Sequence, residues 1–234
     1  MISFIVPAHN EEVWVGRCVS AVHSALESIG EPYEIIVVDD ASSDATDAIA
    51  RQQGARVIRA EHRQIAATRN AGARQARGDI FFFVDADTLV NAPAIQSALR
   101  SIRAGAAGGG CFPRFEGWLP LWVRLTMLVL ERLARWLRFL PSGACLFCTR
   151  SAFEIAGGFN EDYYAAEDVV FVAALKRQGR FIIPAETVVT SGRKARAYSF
   201  RSLAWLSTRL ILRGPRGLRS RRGLEYWYKT ERDR

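Results

Sequence analysis

Between Gly78 and Thr88 the chain reads Gly-Asp-Ile-Phe-Phe-Phe-Val-Asp-Ala-Asp-Thr. The five apolar residues Ile80 to Val84 form an unbroken run with turn formers at both ends. Such a run is a strand buried on both faces, because a strand with one wet face would alternate with polar residues. It commits the chain to a sheet covered by helices on both sides. Two carboxylates, Asp85 and Asp87, stand where the run stops. In open α/β sheets, ligands bind outside the carboxyl ends of the strands.

The rest of the chain repeats the unit. Ile2 to Pro7 is a first strand, followed by helical spacing at Val15, Cys18, Val19, Val22, Leu26 and Ile29. Asn10 is expected to cap that helix, with Glu11 and Glu12 in its first turn. Ile35 to Val38 is a second strand, ending in Asp39 and Asp40. Further helices are expected over 45–53, 65–76 and 93–102, with a strand at Val57 and Ile58. Gly105 to Gly110, rich in Gly and Ala, permits tight turns and close backbone approach. Beyond it come a short strand at Leu146 and Phe147, a helix over 151–156, a helix from Val169 to Gln178, and short strands near 181–183 and 188–189. Alternating strands and helices predict an α/β fold with a mainly parallel, doubly wound sheet.

Four cysteines in 234 residues are too few for a disulfide scaffold, and the lone Cys145-x-x-Cys148 has no partner ligands for zinc. Both are expected to be buried apolar residues in a reducing compartment. The N-terminus has no basic region and runs directly into a strand, so no signal peptide is expected and the location is read as cytoplasmic.

Charge is uneven. Residues 193–234 carry 13 Lys/Arg against 3 Asp/Glu, net +10, while residues 1–192 carry 19 against 21, net −2; together these give the chain's +8. This asymmetry separates a near-neutral body, 1–192, from a basic tail, 193–234, that suits an anionic partner such as a membrane surface. The stretch 118–140 is amphipathic. On a helix, Trp122, Leu125, Val129, Leu133, Trp136 and Leu140 oppose a stripe of Arg124, Glu131, Arg135 and Arg138, with Arg132 at the margin. Five charges argue against a membrane span. Two readings remain: a helix lying in a membrane interface, or one packed on the core.

Carboxylates recur at Glu11/Glu12, Asp39/Asp40, Asp85/Asp87 and Glu167/Asp168. The first three pairs follow predicted parallel strands and so converge on one sheet edge. There they repel unless a cation or ligand compensates. Hard oxygen ligands of this kind suit Mg²⁺ or Mn²⁺ carrying a phosphate.

Six segments, in order, then carry a resemblance: Pro7-Ala8-His9-Asn10-Glu11-Glu12, Val38 to Asp44, Arg69-Asn70-Ala71-Gly72, Asp85-Ala86-Asp87, Gly157-Gly158-Phe159-Asn160-Glu161 and Glu167-Asp168. Over roughly residues 1–195 the chain resembles the family 2 glycosyltransferases with the GT-A fold. The resemblance implies an inverting enzyme that uses a nucleotide diphosphate sugar. Residues 1–90 would form the nucleotide-binding half and 91–192 the acceptor half. Asp39 and Asp40 would bind base and ribose, with Arg69 nearby. Pro7, Ala8, His9, Asn10 and Glu11 would line the same pocket. Asp85, Ala86 and Asp87 would form the DxD motif that holds Mg²⁺ or Mn²⁺, with Asp87 the direct ligand. Asp168 would be the general base. Gly158, Glu167 and Arg193 would lie on the acceptor side, and Arg193 could supply a cation to the diphosphate. His9 stands where the family often has an aromatic. The acceptor would be a glycan or a lipid-linked molecule, with the protein attached peripherally to the inner face of the membrane and no nucleic acid involved. Two other readings are a haloacid dehalogenase-like phosphatase with Asp85 as nucleophile, and a nucleotide- or nucleic-acid-binding module using Trp205, Tyr226, Trp227 and Tyr228 of the tail.

Overall fold

The structure, a computed structural model, describes residues 1–118, 121–137 and 143–193. The expected basic tail beyond Arg193, with its aromatic residues, lies outside the described residues. The amino-terminal half runs β1 (Ile2–Ala8), α1 (Val15–Ile29), β2 (Tyr33–Asp40), α2 (Thr46–Gln52), β3 (Arg56–Ala60), α3 (Ile65–Gln75) and β4 (Ile80–Val84). A short β5 (Thr88–Leu89), α4 (Ala92–Arg103), β6 (Ala106–Gly110) and β7 (Phe112–Glu116) lead to α5 (Leu121–Leu137). The chain continues through β8 (Cys145–Thr149), α6 (Arg150–Ala156), α7 (Glu167–Gln178), β9 (Arg180–Ile182) and β10 (Thr187–Ser191).

Seven strands form one sheet in the order β3-β2-β1-β4-β8-β6-β9. β1 to β4 are mutually parallel, and β8 is antiparallel to both its neighbours. A second sheet, β5-β10-β7, stands beside it. The phenylalanine run shows why β4 is buried on both faces. Phe82 packs with α1 and α4 on one side, while Phe81 and Phe83 pack with α3, α6 and α7 on the other. Cys145 and Cys148, three apart on β8, fall on opposite faces and are free and buried.

Four expectations are corrected. First, α1 starts at Val15 with no side-chain cap, so Asn10 is not its N-cap and Glu11 and Glu12 are not in its first turn. Their backbone N–H groups are taken instead by side chains of the β2–α2 loop. Asn10 N–H donates to Ser42 Oγ at 2.9 Å, Glu11 N–H to Thr46 Oγ1 at 2.8 Å and Glu12 N–H to Asp44 Oδ2 at 3.2 Å. Second, Gly105 to Gly110 is not a set of turns; most of it is the strand β6. The absence of side chains is what allows this. A Cβ on Gly109 would meet Ile182 O at 2.2 Å and the Phe147 ring at 2.3 Å. Third, β5 and β7, which carried no strand signal, pair with β10. Fourth, α7 begins at Glu167, two residues early.

The helix α5 decides between its two readings for the residues described. Leu125, Val129, Leu133 and Trp136 are exposed, Trp136 at 80 %, whereas Val123 is buried. Core packing is excluded for the exposed four. No described helix is long and apolar enough to cross a membrane.

Gly109→Ala is expected to cost about 1–3 kcal/mol through overpacking between β8 and β9, read as a lower urea midpoint at unchanged m-value.

Candidate active site

The sheet's strand order reverses between β1 and β4, which opens a crevice at their carboxyl ends. The loops after β1 and β2 meet there and are laced together. His9 Nδ1 lies 2.7 Å from the Asp40 carbonyl, so Nδ1 carries the proton and donates. Asn10 Oδ1 accepts from Ser43 N–H at 2.8 Å, and Glu12 Oε2 from Ala45 N–H at 3.0 Å. Asn10 (φ 54°) and Ala41 (φ 58°) hold left-handed backbone at this junction, a conformation that costs a non-glycine residue of order 1 kcal/mol or more.

Asp39 and Asp40 have different jobs. Asp40 is buried, and its carboxylate accepts from Arg63 N–H at 2.8 Å, Gln64 N–H at 3.1 Å and Thr68 Oγ1 at 2.7 Å. It ties β2 to the amino-terminal end of α3, satisfying N–H groups that a helix start leaves unpaired. Asp40, expected on the base and ribose, thus has both oxygens engaged by the protein. Asp39 Oδ1 accepts from Ser42 N–H at 3.2 Å, and no described hydrogen bond uses Oδ2.

At the end of β4 the repulsion between acids is answered by arginines. Arg69, on α3, is 1 % exposed. Its Nη2 donates to Asp85 Oδ1 at 2.8 Å and its Nη1 to Glu167 Oε1 at 2.9 Å, with the Gly143 carbonyl at 3.4 Å. Its guanidinium also lies over the Phe159 ring, 5.1 Å from the centroid. Burial works against its charge, but Asp85 and Glu167 outweigh that and raise its pKa. Arg69, expected near the base and ribose, thus turns its head inward between Asp85 and Glu167. Arg193 follows β10 and donates to Glu11 and, at 3.3 Å, to Asp87 Oδ2. That contact places Arg193, expected on the acceptor side or as a cation for the diphosphate, beside Glu11 and Asp87.

Glu167 and Asp168 open α7 behind Ala166, which is also left-handed (φ 60°). Burial pushes the Asp168 carboxyl above the usual aspartate range; Arg69 opposes this and Asp85 adds to it. Glu167 is raised mainly by burial as well, against the pull of Arg69. Asp168 Oδ1 accepts from its neighbour Val169 N–H at 2.8 Å, and the Gly143 backbone also hydrogen-bonds this carboxylate. Gly143 packs so closely here that a Cβ would come within 2.9 Å of Asp168 Oδ2.

The remaining expected residues divide. Pro7, Ala8 and Ala86 have buried side chains, so they can offer a ligand only backbone. Gly158 sits against Asn70 in the α6–α7 turn and lines a cavity of about 550 Å³ whose lining includes none of the strand-end acids. Sequence reasoning missed Gly143, Thr190 and Gln64. Thr190 Oγ1 reaches Asp87 Oδ1 at 3.4 Å, and Gln64 holds the Glu161 and Tyr163 carbonyls. A small residue directly before an apolar strand was the only available signal for Gly143.

Among the described residues no three His, Cys, Asp or Glu side chains cluster into a metal site. The donor set at the β4 end is nevertheless two carboxylates at a rim. That fits a hard divalent ion completing its sphere with phosphate and water, and not an all-protein cage.

Residues 3–157 match the family model described as glycosyl transferase family 2. The chain belongs to this family. The phosphatase alternative for Asp85 falls away with that assignment. The low-salt glycan biosynthesis hexosyltransferase Agl6 of Haloferax volcanii is 31% identical over 116 residues, covering 50% of this chain and 28% of its own. An undecaprenyl-phosphate 4-deoxy-4-formamido-L-arabinose transferase of Pseudomonas paraeruginosa is 34% identical over 101 residues, 40% of this chain and 29% of its own. This chain thus matches less than a third of the length of these curated relatives. Among solved structures, a Pyrobaculum calidifontis mannosyltransferase with GDP-Man and Mn²⁺ superposes with a TM-score of 0.67 at 20% identity, over 88% of this chain and 59% of that one. Glucosyl-3-phosphoglycerate synthase of Mycobacterium tuberculosis, with Mn²⁺, UDP and phosphoglyceric acid, gives 0.59 at 20% over 90% and 76%. These two establish a shared GT-A fold.

Arg69→Met strands Glu167 as a buried carboxylate and is expected to cost about 3–5 kcal/mol. A cycle with Glu167→Gln in urea unfolding should recover a large part of that loss. For Asp168 the sign follows from its raised pKa. Folded protein keeps the proton at a pH where unfolded chain has released it, so ionisation costs stability as pH rises through the folded pKa. Asp168→Asn should therefore be more stable than wild type at pH 8, with the gain vanishing at and below the ordinary aspartate range near ~3.9.

Proposed function

We propose that the protein is an inverting glycosyltransferase that moves a sugar from a nucleotide diphosphate donor to an acceptor hydroxyl. The observation that carries the reading is one buried arginine bonded both to Asp85 at the β4 end and to Glu167 at the start of α7, beside Asp168, whose carboxyl pKa burial raises. Residues 1–90 would supply the donor half and 91–192 the acceptor half. Asp39 would accept from the base, and the backbone from Pro7 to Glu11 would wall the pocket.

Asp85 and Asp87 would hold Mg²⁺ or Mn²⁺, Asp87 directly and Asp85 oriented by Arg69. The ion would supply charge stabilisation for the departing diphosphate. Mn²⁺ in both family-fold neighbours supports this choice. Arg193, already on Asp87 and Glu11, would add a positive charge at the same place. Asp168 would accept the acceptor hydroxyl's proton as that oxygen bonds to the anomeric carbon and the carbon–diphosphate bond breaks on the opposite face. A raised carboxyl pKa is useful there, since a stronger base takes the proton more readily.

The acceptor class proposed is lipid-linked or glycan, in keeping with the undecaprenyl-phosphate substrate named for relatives, which would put the protein at the inner face of the membrane.

Thermal unfolding with UDP, GDP, CDP and dTDP, each with and without Mn²⁺, tests the donor site. One nucleotide should give a metal-dependent stabilisation of about 2.7 kcal/mol at 100 times its Kd, lost in Asp87→Ala. Asp168→Asn should keep that shift and lose transfer by ~10²–10⁴-fold. Full transfer in Asp168→Asn, or no shift with any nucleotide, would overturn the reading.

A further inference from the structure

We infer that the outward face of α5 is a docking surface for an anionic lipid bilayer, and that it seats the catalytic edge of the sheet on that bilayer. The inference deepens the proposed lipid-linked acceptor and rests on that reading only for its biological purpose.

Leu121, Leu125, Leu128, Val129, Leu133 and Trp136 are 43–80 % exposed. At 3.6 residues per turn they fall within an arc of roughly 140°. Val123, roughly opposite that arc, is 4 % exposed and turned inward. The helix therefore shows its wide apolar side to solvent and seats its narrow side on the protein. Single exposed leucines are ordinary, but a contiguous face of six on one helix marks an interaction surface.

Charge selects the occupant. Arg132 projects from within the same arc and Arg124 from its edge, both exposed. In a dry protein–protein contact an arginine in the middle of the apolar face would be desolvated without a partner. At a lipid–water boundary it buries its stem and reaches the phosphates. Anionic headgroups also suit the net +10 of residues 193–234.

Topology fixes the consequence. β8 is antiparallel to β4, so the chain returns from α5 into β8 at the edge where Asp85 stands, with Cys145 paired to Val84. Gly143, on that return, touches both Asp168 and Arg69. Arg193, the first residue of the basic stretch and the last one described, lies at the same edge, bonded to Glu11 and Asp87. The return from α5 and the start of the cationic stretch thus both lie beside the strand-end acids. A bilayer under α5 would bring an acceptor headgroup to Asp168.

The test is flotation of the full chain with vesicles of phosphatidylcholine alone and of phosphatidylcholine with phosphatidylglycerol, compared with the Leu125→Glu/Val129→Glu variant. Both substituted residues are exposed, so the variant should unfold at the wild-type temperature. Wild type is expected to float with the anionic vesicles and far less with the neutral ones, and the variant to lose at least ten-fold in apparent affinity. Failure of the wild type to bind anionic vesicles overturns the inference, as does equal binding by the variant. A wild-type dimer that the variant breaks, with no vesicle binding, would assign the face to a second copy instead and equally overturn it. Nucleotide-induced thermal shifts on the same two preparations separate this result from the donor site. They should be identical in both, and vesicle binding without any shift would fault the transferase reading while leaving the surface intact.

Discussion

The Arg69 guanidinium is the interaction on which the site depends. It is buried, and it bonds to one acid from the end of β4 and one from the start of α7. Without it, Asp85, Glu167 and Asp168 would bring negative charge together in a poorly solvated place, and at least one would have to protonate or move outward. A buried ion pair is weak evidence for net stability, because desolvation offsets much of the attraction. Its use here is geometric. A planar fork with two acceptors fixes the distance and direction between the end of β4 and the start of α7, the latter 98 residues from Arg69 in sequence. The aromatic floor completes the fixation: Phe159 lies under the guanidinium and stacks on Phe171 of α7 at 4.1 Å.

The loops at the same edge are held by a second device, side chains that accept or donate to backbone across the β1–β2 crevice. Ser42, Thr46, Asp44, Asn10 and Glu12 each satisfy a backbone N–H of the facing loop. Among the described residues, the four non-glycine residues with positive φ are Asn10, Ala41, Arg63 and Ala166. Each adjoins a strand-end or helix-start acid of this edge. Strain of that kind persists only where surrounding bonds over-determine it, and the cross-lacing supplies those bonds. A rigid rim is what a donor pocket needs, since the cost of ordering it is then met during folding and not at each binding event.

Much of this was legible in the sequence because it rests on local patterns. The apolar runs of β1, β2 and β4, and the acids that follow them, specify a parallel sheet and its functional edge from spacing alone. What was missed depends on partners distant in the chain. β6 has no strand propensity, and it becomes a strand because Phe147 and Ile182 leave room only for glycine. β5 and β7 exist because β10 returns between them. Asp39 and Asp40 are adjacent in sequence and look interchangeable. Only the position of the α3 start, carrying Arg63, Gln64 and Thr68, makes Asp40 a structural acceptor. Arg69 was found by motif, but its bonds were not legible, since nothing local indicates that its head turns inward between two acids.

The amphipathic helix shows the limit from the other side. Periodicity established a wide apolar face and a charged stripe, and the same pattern serves a core helix or a surface one. The decision lies in Val123. With that one residue seated on the body, rigid helical geometry turns the opposite arc to solvent, whatever its composition. The apolar side was then free to face a different solvent. Because the α5 return passes through Gly143, a residue whose backbone abuts Asp168, a shift of the helix would be felt at the carboxyl proposed to take the proton. Under the proposed roles, acceptor delivery and proton removal would be linked through one glycine, which leaves no room there for a side chain without displacing the acid.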